Sequence, residues 1–185
     1  MIMTNASTTE STTESTNAST TESTNESTTG NPATAAHRLN LAQAAPKVFK
    51  AVLGLDAAAR EGVDPALVEL VQIRVSQLNG CAYCLHMHTS DARKAGESEE
   101  RLHLVALWRE AAHFFTAKER AALALAESVT RLTDGGVPQA VYDRAAEHFE
   151  QAELAQLVAV ILTINTWNRI AIISAKVAGT DERGR

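Results

Sequence analysis

The stretch that decides the fold spans residues 64–88 and reads DPALVELVQIRVSQLNGCAYCLHMH. Its Asp64–Pro65 pair is typical of a helix start, because Asp can cap free N–H groups and proline suits the first helical position. Its Asn79–Gly80 pair is typical of a helix end, since glycine readily takes the left-handed conformation that closes a helix. The sequence therefore predicts one helix over residues 65–78 and another over residues 81–95.

Helical patterns continue on both sides of this stretch. An apolar fraction of 45% with only 4% aromatic residues indicates a core of Ala, Leu, Val and Ile, which favours helices over strands. We therefore expect an all-α bundle of about six or seven helices. Beyond the two above, they are predicted over residues 39–60 with an interruption near Pro46, from Ser98 through Trp108, after a capping box at Thr116–Glu119, from Pro138 to about His148, and from about Ala152 to Val177.

The N-terminal segment differs from the rest in composition. Residues 5–16 (NASTTESTTEST) and 17–28 (NASTTESTNEST) form a tandem repeat of Ser, Thr and Glu with almost no apolar side chains. Such a segment cannot bury enough surface to offset the entropy of ordering. The expected organisation is a disordered tail over residues 1–36, one helical domain over residues 37–180 and a short polar C-terminal tail over residues 181–185.

Charge and hydropathy exclude several function classes. The net charge is -5, but four acidic residues and no Lys or Arg lie in residues 1–36, so the rest of the chain is nearly neutral. Without a basic stripe, nucleic-acid binding is not expected. The longest uncharged apolar-rich run, residues 154–168, is too short and too polar to span a bilayer, and the N-terminus lacks the pattern of a secretion signal. We expect a cytoplasmic protein without a membrane partner.

Cys81, Cys84 and His88 form the densest cluster of reactive side chains. Their spacing places all three on one face of a helix. Cys81 lies in the predicted first turn, where free N–H groups and the helix dipole favour a thiolate. His88 can exchange the proton of a reacting thiol. The pattern indicates a redox-active dithiol with an acid–base partner.

Two other interpretations of the cysteine pair stay open. Half a zinc site would need two more ligands, and since the chain has no other cysteine, His88 and a distant histidine such as His103 or His113 would have to supply them. Both thiols could instead be small buried apolar groups. We expect neither a metal nor a cofactor.

Glu69 is unusual because it lies inside an apolar helix. A buried carboxylate is costly unless it is paired or has its pKa raised. One interpretation is an ion pair with Arg74 or another basic residue. The other is a proton relay beside the dithiol.

These residues resemble the alkylhydroperoxidase (AhpD-like) core of the carboxymuconolactone decarboxylase-like superfamily, over roughly residues 38–178. The family signature of Glu, C-x-x-C and His is matched at the same spacing by Glu69, Cys81, Cys84 and His88. The resemblance implies an AhpD-like helical fold and a thiol-dependent peroxidase that reduces organic hydroperoxides or hydrogen peroxide. Members that decarboxylate a lactone lack the cysteine pair, which argues against that activity here.

The resemblance also implies roles for individual residues. Cys84 matches the peroxidatic cysteine, which the hydroperoxide oxidises to a sulfenic acid, and Cys81 matches the resolving cysteine, which closes a disulfide. His88 and Glu69 match the relay that deprotonates the attacking thiol. The role of Tyr83, at the variable position between the cysteines, stays open.

The expected partners are a hydroperoxide and an unidentified reductant, either a dithiol protein or a small thiol. An alternative function is a thiol–disulfide adaptor or reductase that passes electrons to another protein, and a third is a redox sensor or zinc-binding module.

Two helices, near residues 67–78 and 154–173, are apolar on all sides, so we expect an interface to cover one of them. With the family resemblance, this predicts a homotrimer or homohexamer. The polar residues of the later helix, Asn165, Asn168 and Arg169, are expected to be hydrogen-bonded core or interface residues rather than catalytic ones.

Overall fold

The computed structural model describes residues 38–132 and 135–181. Within these ranges there is no β-strand, so the all-α prediction is confirmed. The expected tail over residues 1–36 lies outside the described residues, as do residues 182–185. Eight α-helices and two short 3₁₀ turns are described: α1 (Leu41–Ala44), α2 (Pro46–Ala59), α3 (Pro65–Asn79), α4 (Ala82–Lys94), α5 (Glu99–Leu104), the turns Val105–Leu107 and Ala112–Phe114, α6 (Ala117–Arg131), α7 (Gln139–Ala146) and α8 (Gln151–Ile173).

The helix ends follow the capping signals of the sequence. Asp64 Oδ1 accepts a hydrogen bond from the Ala66 N–H at 3.0 Å, and Gly80 closes α3 in the left-handed conformation with a φ of 66°. The Thr116–Glu119 capping box forms in both directions at the start of α6. The segment over residues 39–60 divides into α1 and α2 just before Pro46, which accounts for one helix beyond the expected number.

Several predicted boundaries are wrong by one to four residues, and the last helix, predicted to Val177, ends at Ile173. Cys81 is the N-cap of α4 rather than a residue of its first turn. The helix that Ser98 caps ends at Leu104, and Trp108 lies beyond a 3₁₀ turn instead of inside the helix. The tighter turn keeps Trp108 in one buried cluster with Leu70 and other side chains of α3.

Helix α3 is the centre of the bundle. It packs against α4, α6 and α8, and its apolar side chains are buried on every side within a single chain. Covering α3 therefore does not require a second copy, which leaves α8 as the apolar helix that an interface could cover. The buried residues of α3 are Leu67, Val68, Leu70, Val71, Gln72, Ile73, Val75 and Ser76.

Helix α8 is the longest of the described helices, with 23 residues. By length and composition alone it could cross a membrane, which the shorter run over residues 154–168 did not indicate. Its burial gives another reason for its apolar character, because Leu157, Ile161 and Ile164 are fully buried against α3 and neighbouring helices. This is the pattern of a core helix.

Candidate active site

The dithiol lies at the tight connection between α3 and α4. Gly80 closes α3, and the Cys81 N–H donates to the carbonyl of Ser76 at 3.0 Å, so the chain reverses and α4 begins immediately. Cys81 and Cys84 are both reduced and only 2% exposed. Their side chains are hydrogen-bonded to each other. The spacing in the sequence thus does bring the two sulfurs together.

The two thiols have opposite acidities. The hydrogen bond from Cys84 lowers the pKa of Cys81 to about 6, and interactions with the backbone N–H groups of Cys84 and Tyr83 add to this against the cost of burial. The same hydrogen bond, together with burial, raises the pKa of Cys84, although Asn168 and Lys176 act in the opposite direction. The negative charge of the reduced pair therefore resides on Cys81, and the shared proton on Cys84.

Glu69 and His88 form the second half of the site. His88 Nδ1 lies 2.9 Å from Glu69 Oε2, and Arg60 Nη1 lies 3.3 Å from Glu69 Oε1. Since the carboxylate held by Arg60 accepts, the hydrogen of neutral His88 resides on Nδ1 and Nε2 is left with its lone pair. His88 is buried, Glu69 is mostly buried, and Arg60 is itself fixed by Asp56 at 3.1 Å. His88 is thus prepared to accept a proton through Nε2.

Arg74, the neighbour suggested by the local sequence, does not pair with Glu69. Its guanidinium binds Glu127 of α6 at 2.7 Å. Arg60, at the end of α2, takes that place instead. The ion-pair and relay interpretations of Glu69 are therefore not exclusive, because one oxygen contacts a cation and the other contacts His88.

A cavity of about 760 Å³ opens beside these residues. Cys84, His88 and Arg60 line it, whereas Cys81 lies behind the wall. Most of the remaining wall is apolar and comes from α2, α4 and α8, through Phe49, Leu53, Met87, Trp167 and Ile170. A molecule in this cavity reaches the sulfur of Cys84 before that of Cys81.

Three contacts of the site were missed in the sequence. Arg60 holds Glu69, Lys176 lines the cavity with its Nζ 5.0 Å from the centre of the Tyr83 ring, and Asn168 hydrogen-bonds to both thiols. Asn168 is fully buried and hydrogen-bonded, as expected, but its contact with the sulfurs was not anticipated. The one feature of the sequence that could have indicated this contact is the presence of an asparagine in an otherwise apolar helix.

The positions of the described side chains can also be compared with those that a zinc site would need. Within residues 38–132 and 135–181, no three His, Cys, Asp or Glu side chains are grouped as a metal site would need. The histidine that approaches the dithiol region is His88, and its Nδ1 is engaged by Glu69. Among the described residues, the dithiol region is thus accompanied by one histidine, which is paired with Glu69.

Fold and site together define an all-helical protein with a buried dithiol beside a His–Glu pair. The carboxymuconolactone decarboxylase family matches residues 46–128. The uncharacterized protein YdfG of Bacillus subtilis is 39% identical over 138 residues, which cover 74% of this chain and 93% of that protein. The alkyl hydroperoxide reductase AhpD of Nocardia farcinica is 43% identical over 52 residues, 28% of this chain and 29% of that protein. The chain belongs to the AhpD-like carboxymuconolactone decarboxylase family.

Solved structures agree with this membership. A protein of unknown function from Agrobacterium tumefaciens, named as a candidate AhpD antioxidant defence protein, superimposes with a TM-score of 0.73 at 34% identity, covering 78% of this chain and 99% of that one. An uncharacterized peroxidase-related protein from Silicibacter shares the fold at a TM-score of 0.63 and 20% identity, over 76% of this chain and 74% of its own. The AhpD-like helical fold is thereby confirmed, and membership associates the chain with antioxidant, peroxidase-related proteins.

Proposed function

We propose that this chain is a thiol-dependent peroxidase that reduces organic hydroperoxides or hydrogen peroxide. One observation carries the proposal: Cys84 and His88 share a wall of the cavity, with Cys81 behind one and Glu69 behind the other. A nucleophile, a base, a resolving thiol and an orienting carboxylate are thus arranged around one opening.

The first half-reaction forms a sulfenic acid. His88 Nε2 takes the proton of the Cys84 thiol, directly or through one water, and the Cys84 thiolate attacks the terminal peroxide oxygen. The O–O bond breaks, the alcohol leaves with the proton from His88, and Cys84 is left as a sulfenic acid. Glu69 stabilises the charged imidazole in between.

The second half-reaction closes the disulfide. Cys81, whose pKa is lowered to about 6, is a thiolate at neutral pH and attacks the Cys84 sulfur. The S–O bond breaks, and hydroxide leaves as water after it takes a proton from solvent. A dithiol reductant then attacks the disulfide and restores both thiols, with its own two sulfurs oxidised in return. The lower pKa of Cys81 suits the resolving role that the family implies.

The cavity favours small or extended co-substrates. Its apolar wall of Phe49, Leu53 and Trp167 suits the alkyl group of an organic hydroperoxide. Because both sulfurs are only 2% exposed, a folded partner cannot reach them across a flat surface. We therefore favour the peroxidase over the thiol–disulfide adaptor, and a reductant that presents its dithiol on a small molecule or a narrow segment.

The test is steady-state consumption of an organic hydroperoxide with a series of small dithiols and dithiol proteins. The peroxidase proposal expects saturable turnover with at least one reductant, and none with a double Cys81→Ser, Cys84→Ser variant. Rapid disulfide exchange with a protein partner and no hydroperoxide consumption would support the adaptor instead. Metal analysis of the purified protein tests the zinc interpretation in parallel.

We also propose that the chain assembles into a homotrimer or homohexamer. Six of the eleven exposed large apolar side chains among the described residues lie on α2 and α8, where Val48, Leu55, Leu162 and Ile173 are each about half exposed or more. Apolar surface of this kind is typical of an interface between subunits. Light scattering should give three or six times the 19.8 kDa of one chain. A fully active species of one chain's mass would contradict the assembly.

A further inference from the structure

We propose that Asn168 is a catalytic residue, whose side-chain amide donates an N–H to the sulfurs of Cys81 and Cys84 and stabilises whichever of them carries the negative charge. This assignment gives a buried polar side chain of α8 a direct part in the chemistry. The contribution of Asn168 to turnover rests on the proposed peroxidase function, whereas its effect on the pKa values of the thiols is independent of that function.

Asn168 has the right location for this role. It is fully buried on α8, at the side that packs against α3 and α4. Its Nδ2 donates one hydrogen to Ser76 Oγ at 3.1 Å, and the amide also hydrogen-bonds to both cysteine side chains. An N–H donor in a buried site stabilises a thiolate more than it would in water, because no solvent competes with it.

The direction of the amide can be derived from its neighbours. Asn165 is fixed first: its Nδ2 donates to the carbonyl of Ile161 at 2.9 Å, and its Oδ1 accepts from Arg169 Nη1 at 2.9 Å. A carbonyl can only accept and a guanidinium can only donate, so the Asn165 amide cannot be flipped. Its oxygen therefore faces the next residue in the series, Asn79.

Asn79 passes this orientation on to Asn168. Its Nδ2 donates to Asn165 Oδ1 at 3.0 Å and to Asn168 Oδ1 at 2.8 Å. With both hydrogens of Asn79 committed, Asn168 must turn its oxygen toward Asn79 and its NH₂ group toward Ser76 and the dithiol. The hydrogen bonds that link Arg169, Asn165, Asn79 and Asn168 have only one possible direction each. They therefore orient the NH₂ group of Asn168 toward the sulfurs.

A donor shared by two sulfurs matches the proposed reaction. Cys81 carries the charge in the reduced pair, Cys84 gains a charge when His88 takes its proton, and Asn168 lowers the pKa of both thiols. The side chain forms and breaks no covalent bond. It keeps one donor in place while charge develops on the second sulfur, which avoids rearrangement during the reaction.

The test is the titration of the reduced thiols, followed by the ultraviolet absorbance of the thiolate, in Asn168→Asp and Asn168→Ala. Wild-type protein should titrate with a first midpoint at the Cys81 pKa of about 6. Both variants should titrate higher, by about one unit in Asn168→Ala, which is a tenfold smaller acid dissociation constant of the thiol. Asn168→Asp should shift further, because it adds an acceptor and a charge in place of the donor.

Thr163→Val is the matched control. Thr163 is also fully buried on α8, but its hydroxyl bonds only to the Val160 carbonyl of its own helix, so the thiol titration should stay at the wild-type value. Folding is checked by circular dichroism. If neither Asn168 variant folds, Asn79→Asp replaces them, because a carboxylate only accepts and would draw the NH₂ group of Asn168 away from the sulfurs.

Two outcomes overturn the inference: folded Asn168 variants that titrate like wild type, or a Thr163→Val variant that shifts as much as they do. If Asn79→Asp is used, an unchanged titration overturns it in the same way. The titration uses no peroxide, so it separates this inference from the proposed function. A shifted titration in a protein that consumes no hydroperoxide would refute the peroxidase and leave the Asn168 assignment standing.

Discussion

Two glutamates lie in the interior of the bundle, Glu69 on α3 and Glu127 on α6, and their surroundings differ in one respect. Glu127 is surrounded by donors that keep their hydrogens: Arg74 at 2.7 Å, Trp108 Nε1 at 3.0 Å, and Arg109. Burial would raise the pKa of Glu127, but the hydrogen bonds from Trp108 and the two arginines outweigh it and lower the pKa. Such a carboxylate stays ionised and joins α6 to its neighbours.

Glu69 has one permanent cation, Arg60, and one partner that can change its protonation state, His88. His88 lines a cavity, whereas the partners of Glu127 do not. From this difference we infer that a buried carboxylate belongs to a proton relay under two conditions. One of its partners must be able to exchange a proton, and a substrate must be able to reach that partner. Burial and ion pairing alone, which the two glutamates share, do not distinguish a relay from a structural tie.

The largest effect is expected from the thiol beside the Glu69 relay. Cys84→Ser should abolish hydroperoxide reduction, because a hydroxyl is a far weaker nucleophile than a thiolate. Steady-state peroxide consumption is the measurement, with circular dichroism to confirm the fold. Cys81→Ser should instead leave the sulfenic acid on Cys84, visible as one added oxygen by mass spectrometry. Oxygen trapped on Cys81 in an active Cys84→Ser variant would reverse the two roles.

The comparison itself is tested by making the same change at both glutamates. Glu69→Gln should reduce turnover by roughly 10²-fold, because the uncharged amide no longer stabilises the charged imidazole of His88. Its stability should change by about 1 kcal/mol or less, since Arg60 keeps Asp56.

Glu127→Gln should show the opposite pattern. Removing this carboxylate leaves the buried Arg74 without its ion pair, which costs about 3 kcal/mol of stability, while turnover per folded molecule stays near wild type. Urea denaturation gives the free energy of unfolding for both variants. If Glu127→Gln lost turnover as Glu69→Gln does, or if Glu69→Gln lost only stability, the distinction between relay and tie would be wrong.

Much of the fold could be predicted because its signals are local. Asp64, Gly80 and the Thr116–Glu119 box satisfy free backbone groups within one turn, so the sequence carries them directly. The signature of Glu69 and the dithiol is likewise a matter of spacing along α3 and α4. The partners of Glu69 depend instead on where the packing of α2 against α8 places Arg60, and no local pattern specifies that Arg60 rather than Arg74 will face the carboxylate.

Long-range packing also explains what the sequence left open. The contact of Asn168 with the dithiol depends on the rotation of α8 about its own axis, which an apolar helix of nearly uniform hydrophobicity does not reveal. The same uniformity in α3 and α8 predicted an interface over one of these helices without indicating which, and α4, α6 and α8 already surround α3. The periodicity of apolar residues can show that a helix is buried. It does not show whether the same chain or a second copy covers that helix.

A smaller effect is expected on the pH dependence of stability. The pKa of Cys81 falls from 9.0 in the unfolded chain to about 6 in the folded one, so between these values the unfolded state binds more protons. The free energy of unfolding of the reduced protein should therefore rise as pH increases from 6 to 9, and this contribution is lost as pH falls through 6. Cys84, whose pKa is raised, acts oppositely above 9.0.

Urea denaturation across this pH range, with a reducing agent present, measures the effect. The difference in stability between wild type and Cys81→Ser should grow with pH up to about 9, because the serine variant has no thiolate to stabilise. Glu127→Gln serves as the control, since its carboxyl has a lowered pKa and titrates below this range. Parallel curves for wild type and Cys81→Ser would contradict the acidity assigned to Cys81.

The smallest effect is expected from deleting residues 1–36. The partners of both glutamates among residues 38–132 and 135–181 lie between Arg60 and Glu127, so the deletion removes none of these partners. The cavity keeps its walls as well, because Asn40 and Phe49 lie beyond the deleted segment. The composition of residues 1–36 predicts no packed core, so the melting temperature and turnover should both stay close to wild type. A large fall in melting temperature would show that the segment packs on the domain. If stability stayed unchanged and turnover were lost, residues 1–36 would contribute to the reaction at the cavity, which lies beside Glu69 and not beside Glu127.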